Sequence, residues 1–375
     1  MLSIALLVHV QRVTGSFAAA GLATGAYGAA IGLGGPLLGR LADRRGQHGV
    51  LLASGGATAL QLVVLALLPA GAPTVLLVAL AAGIGFARPP VGPCLRAALP
   101  RLVPDGGAMR RVYAVEASAA ELTFIAGPPL ALAIATAWST RTALAGAGIV
   151  LFVATVVFAL QSADGTGMRP TGEVHTTPAV PTSRAGSLTS PAIVALIMVL
   201  SGVGIAFGAV EVSVTAAATQ LGGTIGAAPL LSLWAVGSLI GGLLTARIGA
   251  ERLGLGTVVA ALAVSHTALA LGVGSAPLLG LIILLAGATI APSYTVIYAI
   301  AGDAAPEGTA TEAFAWLATA ISVGAAVGAA IAGAAVDQAG PTAGFLVGGV
   351  GGLLAVAVVA IRSTAFGGKI GTEGV

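Results

Sequence analysis

The chain has 375 residues, 57% of them hydrophobic and 8% charged, with 56 glycines, a mean hydropathy of +1.04 and a formal net charge of +3. Such apolarity excludes a soluble globular domain, and the small net positive charge, which sorts by topology, gives no sign of a nucleic-acid binder. The lone cysteine, Cys94, excludes an intramolecular disulfide and a cysteine-based metal cage, and no metal or cofactor motif occurs.

A helix crosses a bilayer with about 20 apolar residues. The apolar runs predict twelve spans, near 1–13, 17–41, 49–69, 74–98, 112–137, 142–162, 191–217, 225–246, 254–273, 276–301, 311–335 and 341–361. Unbroken runs rich in Ala and Leu do not suit the short alternating strands of a barrel, so the expected fold class is an all-α integral membrane protein. The first run covers about half the hydrocarbon at 1.5 Å per residue, and a start upstream of Met1 or a truncated first helix is expected.

Span two carries Gly21, Gly25, Gly28, Gly32, Gly35 and Gly39 at spacings of 4, 3, 4, 3 and 4, a small-residue face suited to close helix approach. The loop GRLADRRGQHG follows at 39–49 and concentrates Arg40, Asp43, Arg44, Arg45 and His48. Arginines there fit a positive-inside signal, whereas Asp43 adds nothing to one. Ionisable residues inside spans are costly and become functional candidates. Span four has Arg88, a proton-coupling candidate, beside Pro89, an expected helix kink. Span five has Glu116 near Arg110 and Arg111, then Glu121, with Phe124, Gly127 and Pro128 beyond it. For Glu121 two readings stand together: a proton carrier, or a static pair with Arg88.

Residues 163–190 hold no apolar run and are rich in Thr, Pro, Gly and Ser, a flexible linker. It separates expected bundles at 1–162 and 191–362, followed by a tail at 363–375. Span seven carries Glu211 near its outer end, a second proton-coupling candidate. Span nine carries His266. In span ten, Tyr294 and Tyr298 share a face just beyond the helix-distorting Pro292, either as a substrate surface or as packing between helices. Trp234 and Trp316 are cavity candidates of the same type as Phe124. Span eleven opens with PEGTATEAF, where Thr309 and Glu312 have capping-box spacing.

Thirteen of the sixteen basic residues fall on one side of this topology, against Arg12 and Arg141 on the other, with Arg88 inside a span. The positive-inside rule makes the thirteen-residue side cytoplasmic, together with both termini. Arginine supplies fifteen of the sixteen, the mark of a GC-rich bacterial genome and so of a bacterial cytoplasmic membrane. The halves also match at an offset of 203. Pro89 falls on Pro292, while Gly39, Arg44 and Gly46 fall on Gly242, Arg247 and Gly249, which implies a parallel repeat. Ala246 stands where Asp43 would be.

With Gly39, Leu41, Ala42, Asp43, Arg44, Gly46 and Leu51 at the positions of the hallmark loop G-x-L-A-D-R-x-G-R-K-x-x-L, the chain resembles the major facilitator superfamily. Gln47 and His48 replace that motif's basic pair. The resemblance implies twelve helices in two six-helix bundles related by a pseudo-two-fold. It also implies a central cavity lined by spans one, four, seven and ten, with span nine outside it, so that His266 is a peripheral helix contact. It further implies that Asp43, with Gly39, Arg44 and Gly46, meets the start of span eleven as a conformational latch. Gly127 and Pro128 match the centre of an antiporter motif whose flanking glycines are absent here, so a plain kink at Pro128 fits equally.

The expected function is secondary transport, with proton-coupled efflux of small amphipathic or drug-like molecules by a monomer. No cofactor is expected beyond the proton gradient as energy source, and the expected partners are the substrate, protons and the bilayer. An importer of a small metabolite and a non-transporting sensor or scaffold are the alternatives. An enzyme is disfavoured because H-E-x-x-H, G-x-S-x-G and P-loop motifs are absent.

Overall fold

The computed structural model describes residues 2–15, 17–103, 108–109, 111–116, 119, 134–135, 137–163, 186–221, 227–248 and 253–366. Regular structure among them is helical: α1 Leu2–Thr14, α2 Phe17–Arg45, α3 Gln47–Leu67, α4 Thr74–Ala87, α5 Val91–Leu102, α6 Thr140–Ala163, α7 Pro191–Gln220, α8 Ala227–Ile248, α9 Leu255–Ala268, α10 Ala276–Gly287, α11 Ile290–Ala304, α12 Ala310–Ala339 and α13 Pro341–Ile361. Among the described residues, nine stretches are long and apolar enough to cross a membrane. The chain is thus an all-helical, multi-pass membrane protein, because only helices satisfy their own backbone in hydrocarbon.

Two of these stretches are broken helices. In the fourth expected span α4 ends at Ala87 and α5 starts at Val91, across Pro89 and Pro90, which have no N–H to offer the ladder. In the tenth, α10 ends at Gly287 and α11 starts at Ile290. The ring nitrogen of Pro292 cannot bond the Ala288 carbonyl, and the helix breaks at that place. The two prolines are the pair related by the offset of 203.

The described residues form two compact units. Unit one is drawn from Met1–Leu102, Ala126–Thr189 and Ala305–Thr319, and unit two from Val103–Ile125, Ser190–Ala304 and Ala320–Val375. These units do not follow the expected boundaries at 162 and 191. The start of α12, which belongs to the second half by sequence, packs in unit one, where α2 bonds its first turn. Leu6, Val10, Tyr27, Leu62, Leu77 and Ile84 are among the core residues of unit one, and Val210, Leu230, Leu269, Leu279 and Phe345 of unit two. Short α1 is tied down by His9, whose ring nitrogens lie 3.1 Å from Thr140 Oγ1 and 3.2 Å from the Leu65 carbonyl.

Glycine contacts correct the expectation for span two. A Cβ at Gly25 or Gly28 would meet nothing within 4 Å, and those at Gly32 and Gly35 would meet only the Thr319 side chain. The tight approach to α4 uses Gly34 instead, against the Phe86 backbone, and Gly85 against the Tyr27 carbonyl. Gly32, Gly35 and Gly39 face α12, and of the stripe's described members only Gly39 touches backbone there. In unit two, Gly237 sits against the Leu284 carbonyl, and Gly34 and Gly237 are themselves 203 residues apart. Each half therefore joins its second and fourth spans through the same glycine.

These contacts separate two substitutions of equal size. Gly85→Ala forces a methyl into backbone and is expected to cost about 1–3 kcal/mol, as overpacking does. Gly28→Ala is expected to be neutral or to stabilise by up to about 1 kcal/mol, through helix propensity alone. Thermal unfolding of the two purified variants checks the ordering.

Candidate functional site

The loop at 39–49 is built from the end of α2 and the start of α3. Gly46 joins them at φ +89°, a left-handed position that a side chain would strain. Ala42, Val50, Leu51, Cys94 and Ala159 form a buried cluster beneath the loop. His48 Nδ1 lies 2.8 Å from the Ala159 carbonyl, which fixes that nitrogen as a donor and ties the loop to α6.

Asp43 projects from the last turn of α2 onto the N-terminus of α12. Its two oxygens accept from the Thr311 N–H at 3.1 Å and the Glu312 N–H at 2.8 Å. These are first-turn amides with no partner inside their own helix, where the helix dipole also favours an anion. A side chain at Gly39 would strike the backbone beside them, as its Cβ would stand 3.0 Å from the Thr311 carbonyl and 3.2 Å from Glu312 Cα. Glycine here sets the separation at which a short aspartate reaches both amides.

The expected capping box does not form. Thr309 donates its hydroxyl to the Pro306 carbonyl at 2.8 Å, closing the turn in which Gly308 adopts φ +72°. Asp43 takes the Glu312 amide that Thr309 would have capped. The Glu312 carboxylate is free to face elsewhere, and it lies 3.9 Å from Arg40 Nε and against Gly186, the last stretch of the linker. The cation beside Glu312 is Arg40, three residues before Asp43 and on its face, whereas Arg44 follows Asp43 directly and is exposed. Gln47, at a position where the hallmark loop is basic, donates at 3.4 Å to both the Thr311 hydroxyl and the Cys94 carbonyl. Arg40 and Gln47 were missed by sequence reasoning, although Arg40 could have been found from its spacing to Asp43.

Burial pushes the Asp43 carboxyl above the ordinary carboxylate range, against the opposing pull of its hydrogen bonds to Thr311 and Glu312, while the Glu312 charge adds to the rise.

Unit two gathers the aromatic candidates. Tyr294 and Tyr298 lie on one face of α11 with ring centroids 5.3 Å apart, and Tyr113 meets Tyr298 edge-on at 6.2 Å. Three of the chain's four tyrosines thus converge. Phe207 of α7 joins Tyr294 at 6.4 Å and Trp234 at 5.0 Å, and stacks on His266 at 5.7 Å. His266 makes the expected contact between helices, and it is fully buried there against the rings of Phe207 and Trp234. Hydropathy could not show this, because a buried histidine and a surface one read alike in a window average. Trp316 lies in unit one.

Glu211 is exposed on α7 and lines an open cleft of about 400 Å³ with Val212, Thr215 and Ala216. Arg88 is exposed at the break of the fourth span. Glu121, Phe124 and Pro128 lie outside the described residues, as does most of the linker.

A family model described as the Major Facilitator Superfamily matches residues 1–234. No curated protein sequence matches the chain. Solved structures do. A human organic anion transporter is 18% identical with a TM-score of 0.69, covering 92% of this chain and 83% of its own. The E. coli fucose:proton symporter is 15% identical at 0.66, covering 96% of each. A bacterial homologue of the iron transporter ferroportin, in an outward-facing state, is 16% identical at 0.67, covering 97% and 96%. At these identities the likeness speaks for the fold, which is the one expected from the hallmark loop. With its hallmark loop in place and the family model covering more than half its length, the chain belongs to the major facilitator superfamily of membrane transporters.

Proposed function

We propose that the chain is a proton-driven exporter of small amphipathic or drug-like molecules that works by alternating access. Its place is the bacterial cytoplasmic membrane, as a monomer with both termini and the 39–49 loop in the cytoplasm. The observation that carries this reading is the Asp43 carboxylate on the Thr311 and Glu312 amides. It joins a residue of the first half of the sequence to one of the second, at the loop side, by bonds that opening of that side must break.

The magnitudes suit a cycle. Hydrogen bonds to a charged group contribute about 1.5–3 kcal/mol each. One proton moving through about 100 mV supplies about 2.3 kcal/mol. A single coupled proton therefore delivers free energy of the order of one of these bonds. Our first candidate to carry it is Glu211, exposed beside an open cleft within a span, and Glu121 is the second. The likeness to a fucose:proton symporter supports proton coupling and favours one alternative, import with the proton.

Everted vesicles separate the two. Export predicts uptake of a fluorescent amphipathic dye driven by an inside-acid gradient, and Glu211→Gln should reduce that uptake at least tenfold. Import with protons predicts the reverse gradient dependence, and no uptake under either gradient would remove the transport reading.

The latch has its own test in amide hydrogen exchange. Asp43→Asn leaves one acceptor for two donors, so the Thr311 and Glu312 amides should exchange about 10–100-fold faster than in the wild type, the equivalent of one charge-assisted bond. The sign of the pH effect follows from the raised folded value. Between the unfolded and folded pKa, ionising Asp43 costs stability as pH rises, whereas the latch itself, which needs both oxygens as acceptors, weakens as pH falls through the folded value. Exchange at Thr311 and Glu312, corrected for the intrinsic rate, should therefore quicken on mild acidification in the wild type and stay flat in Asp43→Asn.

A further inference from the structure

We propose that Phe207, Trp234, His266 and Tyr294 form a binding site, wholly within unit two, for a small neutral aromatic molecule that carries a hydroxyl or a cyclic amide. This names a substrate class for the exporter reading, on which its transport consequence rests, while binding itself does not.

The polar atoms define the ligand. His266 Nδ1 lies 2.9 Å from the Leu262 carbonyl, which can only accept, so Nδ1 carries the proton and Nε2 presents a bare lone pair. Nε2 has no hydrogen-bond partner among the described residues, and His266 is 0% exposed. Trp234 Nε1, a donor, is likewise buried and unpartnered among them. The two rings meet edge-on with centroids 5.9 Å apart, so one orphan acceptor and one orphan donor share a single cluster. Leaving a buried polar group unpaired is unfavourable, and helix interiors rarely hold two together. A hydroxyl or a lactam edge offers a donor and an acceptor at once, and would satisfy both.

The surroundings define the rest. Phe207 stacks on the imidazole at an interplanar angle of 26°, while Trp234 and Tyr294 stand edge-on to Phe207 at 85° and 64°. Such walls suit a flat ring. Among the described residues the ring cluster contains no carboxylate, arginine or lysine, so a charged ligand would be buried there without a counterion from them, which argues for a neutral one. Beside Phe207 and Tyr294 lies a narrow gap, lined also by Leu200, Leu262, Ser293 and Ile297, with no room for a water molecule. Occupation of the site by a ligand therefore requires the rings to move apart.

Tritiated 1-naphthol, measured by scintillation proximity on the purified full chain, is the probe. Saturable binding is expected, with affinity falling about tenfold in His266→Phe and in Trp234→Phe, which keep a ring and lose the polar atom. His266→Gln, which restores an acceptor, should recover part of it. Unlabelled naphthalene-1-carboxylate should not compete. Absence of saturable binding, or equal affinity in the wild type and both phenylalanine variants, overturns the site. If His266→Phe is not monodisperse, Trp234→Phe decides alone. A chain that shows gradient-driven dye uptake in vesicles but no 1-naphthol binding refutes this site and leaves the exporter reading. One that binds as expected but moves no dye refutes the exporter reading and leaves the site.

Discussion

Hydrocarbon tails are as apolar as leucine, so packing leucines together gains little inside a membrane, and helices there must associate by bringing their backbones close. That constraint governs where this chain can be small and where it can be large. Gly34 and Gly85 let α2 and α4 touch through main chain, and Gly237 and Gly287 do the same for α8 and α10. Each contact sits next to a proline-broken span, at Pro89 in one unit and Pro292 in the other. Close backbone packing beside a broken helix is sound physics, since the freed carbonyls lie where protein, and not lipid, surrounds them.

The same scarcity of polar groups gives the few that exist their weight. In a chain with 13 acidic residues, Asp43 is placed against two amides that nothing in their own helix can satisfy. Arg40 lies across from Glu312 without displacing Asp43, and Gln47 fills with a neutral amide the place of a cation. A second positive side chain there would compete for the carboxylate. The neutral glutamine instead bonds the Thr311 hydroxyl and does not compete for Asp43, whose oxygens accept from Thr311 and Glu312.

Spans were readable from composition because length and apolarity are sufficient for a bilayer helix. The breaks at Pro89 and Pro292 were readable because a missing N–H acts locally. Asp43 stood out because a carboxylate has no use in a positive-inside loop. What the sequence hid were choices between neighbours on a helix. Gly34 and Gly35 look alike in the chain, yet about 100° of rotation decides that only Gly34 meets the Phe86 backbone. Thr309 and Glu312 had capping spacing, but a donor pair can be claimed from another helix, and Asp43 claimed it. His266 and Phe207 lie 59 positions apart, and only the fold brings their rings to 5.7 Å.

Cys94 lies fully buried beneath the 39–49 loop, walled by Ala42, Val50, Leu51 and Ala159, with its carbonyl held by Gln47. It is the only thiol in the chain. A reagent reaches it when the loop lifts, and a thiol reacts only when reached. Any motion that uncovered this site would thus be timed by the rate of a single chemical modification, with no foreign label introduced.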